Sequence, residues 1–129
     1  MNIIVAIILL LISLVVVIVL KYRIGKKKKI LRHVVLFKFS GDTKSEKTKE
    51  FEEAFLALPK KIIQIKNFEW GTNSSPENLS QGFSHCFFMS FQSNQDRDDY
   101  LVHPDHKKFG ELLRPSLDKV LVIDYWIQG

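Results

Sequence analysis

Eighteen consecutive residues, Ile3 to Leu20, carry no charge, and Ser13 is the only polar side chain among them. At about 1.5 Å per residue a helix of this length spans roughly 27 Å, close to the hydrocarbon thickness of a bilayer. The seventeen apolar residues, at about −0.3 to −0.6 kcal/mol each, favour insertion by on the order of 5–10 kcal/mol. A cleaved secretory signal is the competing reading. Such signals carry a basic start, about 7–15 apolar residues and small residues before the cut. Here only Met1 and Asn2 precede the stretch, and Lys21-Tyr22-Arg23 follows it. A buried soluble helix fits less well, because the β-branched run Val15 to Val19 suits lipid better, where the backbone must bond internally. The expectation is a retained single-pass anchor.

The net charge of +5 suggests a nucleic-acid binder until the charges are located. Lys21, Arg23, Lys26, Lys27, Lys28, Lys29 and Arg32 supply seven positive charges in one short stretch. The remaining twelve Lys and Arg face all fourteen acidic residues, which leaves the rest of the chain at about −2. The basicity is a collar next to the membrane, and nucleic acid is not an expected partner. With no basic residue before the span, the positive-inside rule places the globular part in the cytoplasm. The sequons at Asn73 and Asn78 are then irrelevant. The collar can also attract anionic lipid, though it serves equally well as a topology signal alone. The expected organisation is an anchor over residues 1–20, a collar over 21–29 and one domain over 30–129.

Four strands and three helices are legible in that domain. Leu31 to Phe39 is β-branched and aromatic and ends at Gly41-Asp42. Asp42 or Thr43 can cap a helix whose stripe is Phe51, Ala54, Phe55 and Leu58, with Pro59 ending it. Asn67 to Thr72 and Ser84 to Phe91 read as strands on either side of a polar loop. Ser93 or Asn94 caps the next helix, which Pro104 stops while opening another that runs to about Leu113. Val120 to Ile127 is the last strand. The order βαββαβ predicts a ferredoxin-like α+β sandwich.

Both sides of these strands are apolar. One side collects His33, Val35, Phe37, His85, Phe87, Val122 and Asp124; the other collects Val34, Leu36, Cys86, Phe88, Leu121, Ile123 and Tyr125. Helices cover only one face of such a sheet, and soluble monomers avoid apolar patches of several hundred Å². A twofold-related copy is the simplest cover, so the chain is expected to be a homodimer.

The run Leu31 to Phe39, Trp70-Gly71, Gly82-Phe83-Ser84-His85, Tyr100-Leu101-Val102-His103-Pro104-Asp105-His106, Phe109-Gly110 and Asp124-Tyr125 resembles the stress-responsive dimeric α/β-barrel (Dabb) family. The resemblance covers about residues 30–126, and the anchor and collar lie outside it. It implies a ferredoxin-like monomer whose sheet joins a partner's to form a barrel. A plant polyketide cyclase of this family uses a histidine and a tyrosine at positions similar to His106 and Tyr100, with further pocket histidines resembling His33 and His85. Where that pocket carries a helix tyrosine this chain has Phe55, and Phe37 and Phe87 are bulkier than the expected lining, which argues against a long alkyl substrate.

All four histidines lie in family-like positions, and His33, His85 and His106 are expected to converge between sheet and helices. Asp124 shares the strand side of His33 and His85 and can fix an imidazole's tautomer. His106, in the first turn after Pro104, is expected to be neutral because the helix dipole disfavours its cation. Tyr100 can donate its hydroxyl to a carbonyl and steady an enolate. Against this, strand histidines among phenylalanines are usually hydrogen-bonded core groups, and His103 before a proline reads as a capping residue. The expected ligand site is therefore His33, Val35, Phe37, Phe55, His85, Phe87 and Asp124, with Tyr100 and His106 as the candidate catalytic pair. No metal or cofactor is expected: there is no His-Glu-x-x-His, phosphate loop or haem motif, first-turn placement explains Asp96, Asp98 and Asp99, and Cys86 lacks an activating neighbour. Two functions follow: a small-molecule binding module held at the membrane in a stress response, or a cyclase- or lyase-like enzyme.

Overall fold

The structure is a computed structural model that describes residues 2–25, 29–41 and 45–128. Its first element, α1, runs from Ile3 to Gly25. The span Ile3–Arg23 has a mean hydropathy of 3.8 and none of it is buried by the rest of the chain. One helix is thus long and apolar enough to cross a membrane.

The domain follows as β1 (Leu31–Phe39), α2 (Glu46–Lys61), β2 (Lys66–Thr72), β3 (His85–Phe91), α3 (Asn94–Val102), α4 (Pro104–Leu113), a short 3-10 turn and β4 (Leu117–Trp126). The sheet is antiparallel with order β2-β3-β1-β4, the ferredoxin-like arrangement that the strand and helix order implied. Strand boundaries lie within one residue of the expected ones except for β4, which starts three residues early. Its first residues pair across a bulge, with Phe39 opposite Leu117.

Two helix ends differ from expectation. Asp42 and Thr43, the expected caps of α2, lie outside the described residues. Ser45 caps this helix instead, its hydroxyl accepting from the Thr48 N–H at 3.2 Å. Pro59 does not end the helix, which continues to Lys61. A proline this near the end removes a single ladder bond. Fully buried Leu58 and Ile62 hold the last turn closed, with the Ile62 N–H donating to the Leu58 carbonyl at 2.9 Å.

Alternation along the strands puts His33, Val35, Phe37, Phe87, Met89 and Phe91 under the helices, where all are buried. Phe55 of α2 is the keystone of that layer. It is 1% exposed, with its ring 3.9 Å from Phe87 and 4.9 Å from Phe109 of α4. Among the described residues, none covers the opposite face. Leu121, Ile123 and Tyr125 are 43–49% exposed there, and Cys86 is exposed beside them. Arg32 crosses the same face, its guanidinium 4.8 Å above the Phe88 ring and donating to the Ser90 hydroxyl.

One residue joins α3 to α4. His103 ends the first helix, its N–H donating to the Tyr100 carbonyl, and begins the second, its Nδ1 accepting from the Asp105 N–H at 3.2 Å. Its extended backbone (φ −61°, ψ 136°) is what a following proline imposes. The capping role read from the sequence is the one it performs.

Candidate functional site

Between the helix-facing side of β1–β4 and the roof made by α3 and α4 lies a cavity of about 260 Å³. Its walls are apolar, with Val35, Phe37 and Phe55 at the back and Val122 on the half-exposed edge strand. The polar groups that enter it include His33, Tyr100 and His106. This is slightly below the usual size range of ligand pockets, about 300–1,000 Å³, and has their make-up: apolar walls and a few convergent polar groups.

Tyr100 touches both of the others. The Tyr100 ring lies 4.3 Å from that of His106 and 5.6 Å, edge-on, from that of His33. Tyr100 and His106 stand on either side of the α3–α4 junction, and His33 rises from β1 beneath them. Tyr100 is 1% exposed, yet among the described residues its hydroxyl has no hydrogen-bond partner. Burial first, and the Asp124 carboxylate second, raise the Tyr100 phenol well above the usual tyrosine range. The group stays protonated and remains a donor.

Each imidazole is held by one nitrogen. His106 Nδ1 lies 3.1 Å from the Leu101 carbonyl oxygen. A carbonyl only accepts, so Nδ1–H donates and Nε2 keeps its lone pair. Burial lowers the pKa of His106. The Leu101 carbonyl opposes that shift, and the imidazoles of His33 and His103 reinforce it. The residue is therefore neutral as expected from the sequence, but burial is the leading cause where the helix dipole was invoked.

His33 Nδ1 sits 2.5 Å from Asp124 Oδ1, its direct cross-strand neighbour. The second carboxylate oxygen accepts from Arg97 Nη1 at 2.6 Å. Arg97 of α3, Asp124 of β4 and His33 of β1 thus form a chain that fixes the His33 ring. A carboxylate so placed orients an imidazole and steadies its cation, as in acid–base sites generally. Asp124 stands behind His33 and does not line the cavity.

His85 goes elsewhere. It stands four strand positions from His33, about 13 Å along the sheet. The expected convergence of three histidines is therefore corrected to two. His85 Nε2 meets Glu52 Oε1 at 2.9 Å and its Nδ1 meets Ser84 Oγ at 2.8 Å. Trp70 stacks on it in a nearly parallel plane. With both nitrogens engaged, His85 ties α2 to β3. Phe87 is buried between Phe55 and Trp70 in the core behind the cavity wall. Among the described residues, no group of three or more His, Cys, Asp or Glu is placed to hold a metal. Burial and Glu69 raise the Cys86 thiol, the opposite of an activated nucleophile. Arg97 was not identified from the sequence. Its acidic neighbours Asp96, Asp98 and Asp99 gave a complete first-turn explanation for that segment, and nothing local points across the sheet to Asp124.

A family model for the Stress responsive A/B Barrel Domain matches residues 31–127. The chain is 40% identical over 95 residues to the Stress-response A/B barrel domain-containing protein HS1 of Arabidopsis thaliana, an alignment covering 74% of this chain and 87% of that protein. It is 28% identical over 95 residues to olivetolic acid cyclase of Cannabis sativa, covering 74% of this chain and 94% of the cyclase. A solved structure of a dimeric protein of unknown function with a ferredoxin-like fold, from Bacteroides fragilis, matches with a TM-score of 0.64 at 29% identity and covers 76% of this chain and 96% of that one.

Proposed function

Because the chain belongs to the stress-responsive A/B barrel domain family, we propose that it is a membrane-held homodimer that binds a small apolar or carbonyl-containing ligand in the cavity around Tyr100, His33 and His106. The anchor is residues 1–20, the collar 21–29 and the barrel domain 30–129, with the domain on the cytoplasmic side as the positive-inside rule requires. The uncovered face of Leu121, Ile123 and Tyr125 supports pairing with a second copy, as does the dimeric structural neighbour.

The observation that carries the ligand reading is Tyr100: a buried phenol that stays protonated, in an apolar cavity, with no described partner for its hydroxyl. A carbonyl oxygen entering the cavity would supply the missing acceptor. The test is thermal shift of the full chain in detergent against a panel of β-keto and phenolic carbonyl compounds. Binders should raise Tm for the native chain, and Tyr100→Phe and His106→Ala should each weaken binding by about tenfold, the value of one net hydrogen bond. Full affinity in both variants refutes the assignment.

A second reading, cyclase- or lyase-like catalysis, is favoured by one observation: His106 is anchored through Nδ1 and kept neutral, which leaves Nε2 as a base beside the Tyr100 donor. His106 would take a proton from the carbon next to a carbonyl. The electron pair would move to the carbonyl oxygen, where the Tyr100 O–H donates to it, and the imidazolium would return the proton at the end of the step. The 28% identity to olivetolic acid cyclase supports this chemistry. Binding of β-keto compounds without turnover would eliminate it and leave the binding reading standing.

A further inference from the structure

At the end of the sheet where β1 begins is a second cavity, of about 420 Å³, lined by none of the histidines. Ile30, Phe91 and Trp126 form its apolar wall, and Lys29, Lys66 and Asn67 form its polar rim. Among the described residues, no acidic one lines it. Elsewhere in the domain Lys38 pairs with Asp118, Lys61 with Asp105 and Arg97 with Asp124. Lys29 and Lys66 have no carboxylate partner among the described residues, and Lys66 only gives one hydrogen bond to the Ile63 carbonyl. A third cation, Arg32, donates to Ser90 of the same lining.

Chain length fixes where this rim can be. Four residue steps separate Gly25, the last residue of α1, from Lys29, and four extended residues reach at most about 14 Å. If α1 enters a bilayer up to Leu20, five helical residues and four extended ones hold Lys29 within about 22 Å of the span's end, on the headgroup side of the membrane. The geometry points to a lipid-binding pocket that takes the anionic headgroup of a membrane phospholipid at Lys29 and Lys66 and the start of its acyl chain against Trp126 and Phe91. This inference rests on the anchoring reading above. It assigns a role to the cavity that the collar, as a topology signal, does not need.

The test uses the full chain in nanodiscs. Trp70 is replaced by Phe so that Trp126, the second of the two tryptophans, is the sole indole reporter. Brominated phosphatidylglycerol at a minor fraction should quench Trp126 more strongly than the same fraction of brominated phosphatidylcholine. Lys66→Gln leaves every collar charge in place and should weaken the anionic preference about fivefold, as about 1 kcal/mol per basic residue implies; adding Lys29→Gln should weaken it about fivefold again. Equal quenching by the two lipids, or a preference unchanged in Lys66→Gln, overturns the proposal.

Flotation with neutral vesicles separates the two claims. A chain that does not float refutes anchoring, and the pocket is then judged in micelles with soluble dihexanoyl phosphatidylglycerol. A Trp126 shift with that lipid, absent with inorganic phosphate and lost in Lys66→Gln, supports the pocket without the anchor. No shift, or an equal response to phosphate, overturns it.

Discussion

Tyr100→Phe should separate a residue that holds the fold from one that serves a site. The Tyr100 ring packs 5.2 Å from Phe91 and 4.3 Å from His106, so removing the ring, as in Tyr100→Ala, should cost about 3–5 kcal/mol. Removing the hydroxyl alone is different. A hydroxyl bonded to protein is worth about 1 kcal/mol, but this one has no described partner. Among the described residues no fully buried side-chain oxygen lacks a partner, so this hydroxyl reaches the cavity and carries no uncompensated burial cost. The Phe variant should therefore match the native chain within about 0.5 kcal/mol, a change in Tm of under about 4 °C for a domain of this size. The same variant should lose ligand affinity. Urea unfolding followed by near-ultraviolet circular dichroism reads the first effect, and ligand titration reads the second. If Tyr100→Phe lowers stability by 1 kcal/mol or more, the hydroxyl is holding the fold and the reasoning is refuted.

Asp124→Asn should destabilise the domain by about 1.5–3 kcal/mol, because it breaks a charge-assisted bond to buried His33, whereas Arg97→Gln should cost under about 1 kcal/mol; urea midpoints in the reverse order would sink the proposed chain. Phe55→Ala should cost about 3–5 kcal/mol by the same assay, since four aromatic rings face it. For His106, the unfolded residue titrates near about 6.5 and the folded one lower. Between those values the unfolded chain holds more protons, so stability should fall as pH drops through that window, and His106→Gln should flatten the slope. Ile123→Asp on the uncovered sheet face should shift the sedimenting species from dimer to monomer at micromolar concentration; an unchanged dimer would move the interface elsewhere.

The strands were legible because period-two alternation sorts side chains by face, and that sorting already placed His33 and Asp124 together. Register made them direct partners, which alternation alone does not specify. The separation of His85 from His33 was not legible for the same reason: sharing a face says nothing of distance along a strand. Arg97 was hidden because its contact with Asp124 bridges helix and edge strand, 27 residues apart, with no local periodic signal. Pro59 was misread as a stop because its cost depends on how near the helix end it falls, and buried Leu58 and Ile62 decide that only in three dimensions.

The junction at His103 has a consequence for how such a site can change. Tyr100 and His106 ride on two separate rods welded at a single residue, whose proline successor forbids the rods from merging into one helix. The spacing of phenol and imidazole is therefore a property of a stiff elbow, unaffected by what fills the chamber. Changes at Val35, Phe37 or Phe55 would reshape the chamber while the phenol and the imidazole keep their aim.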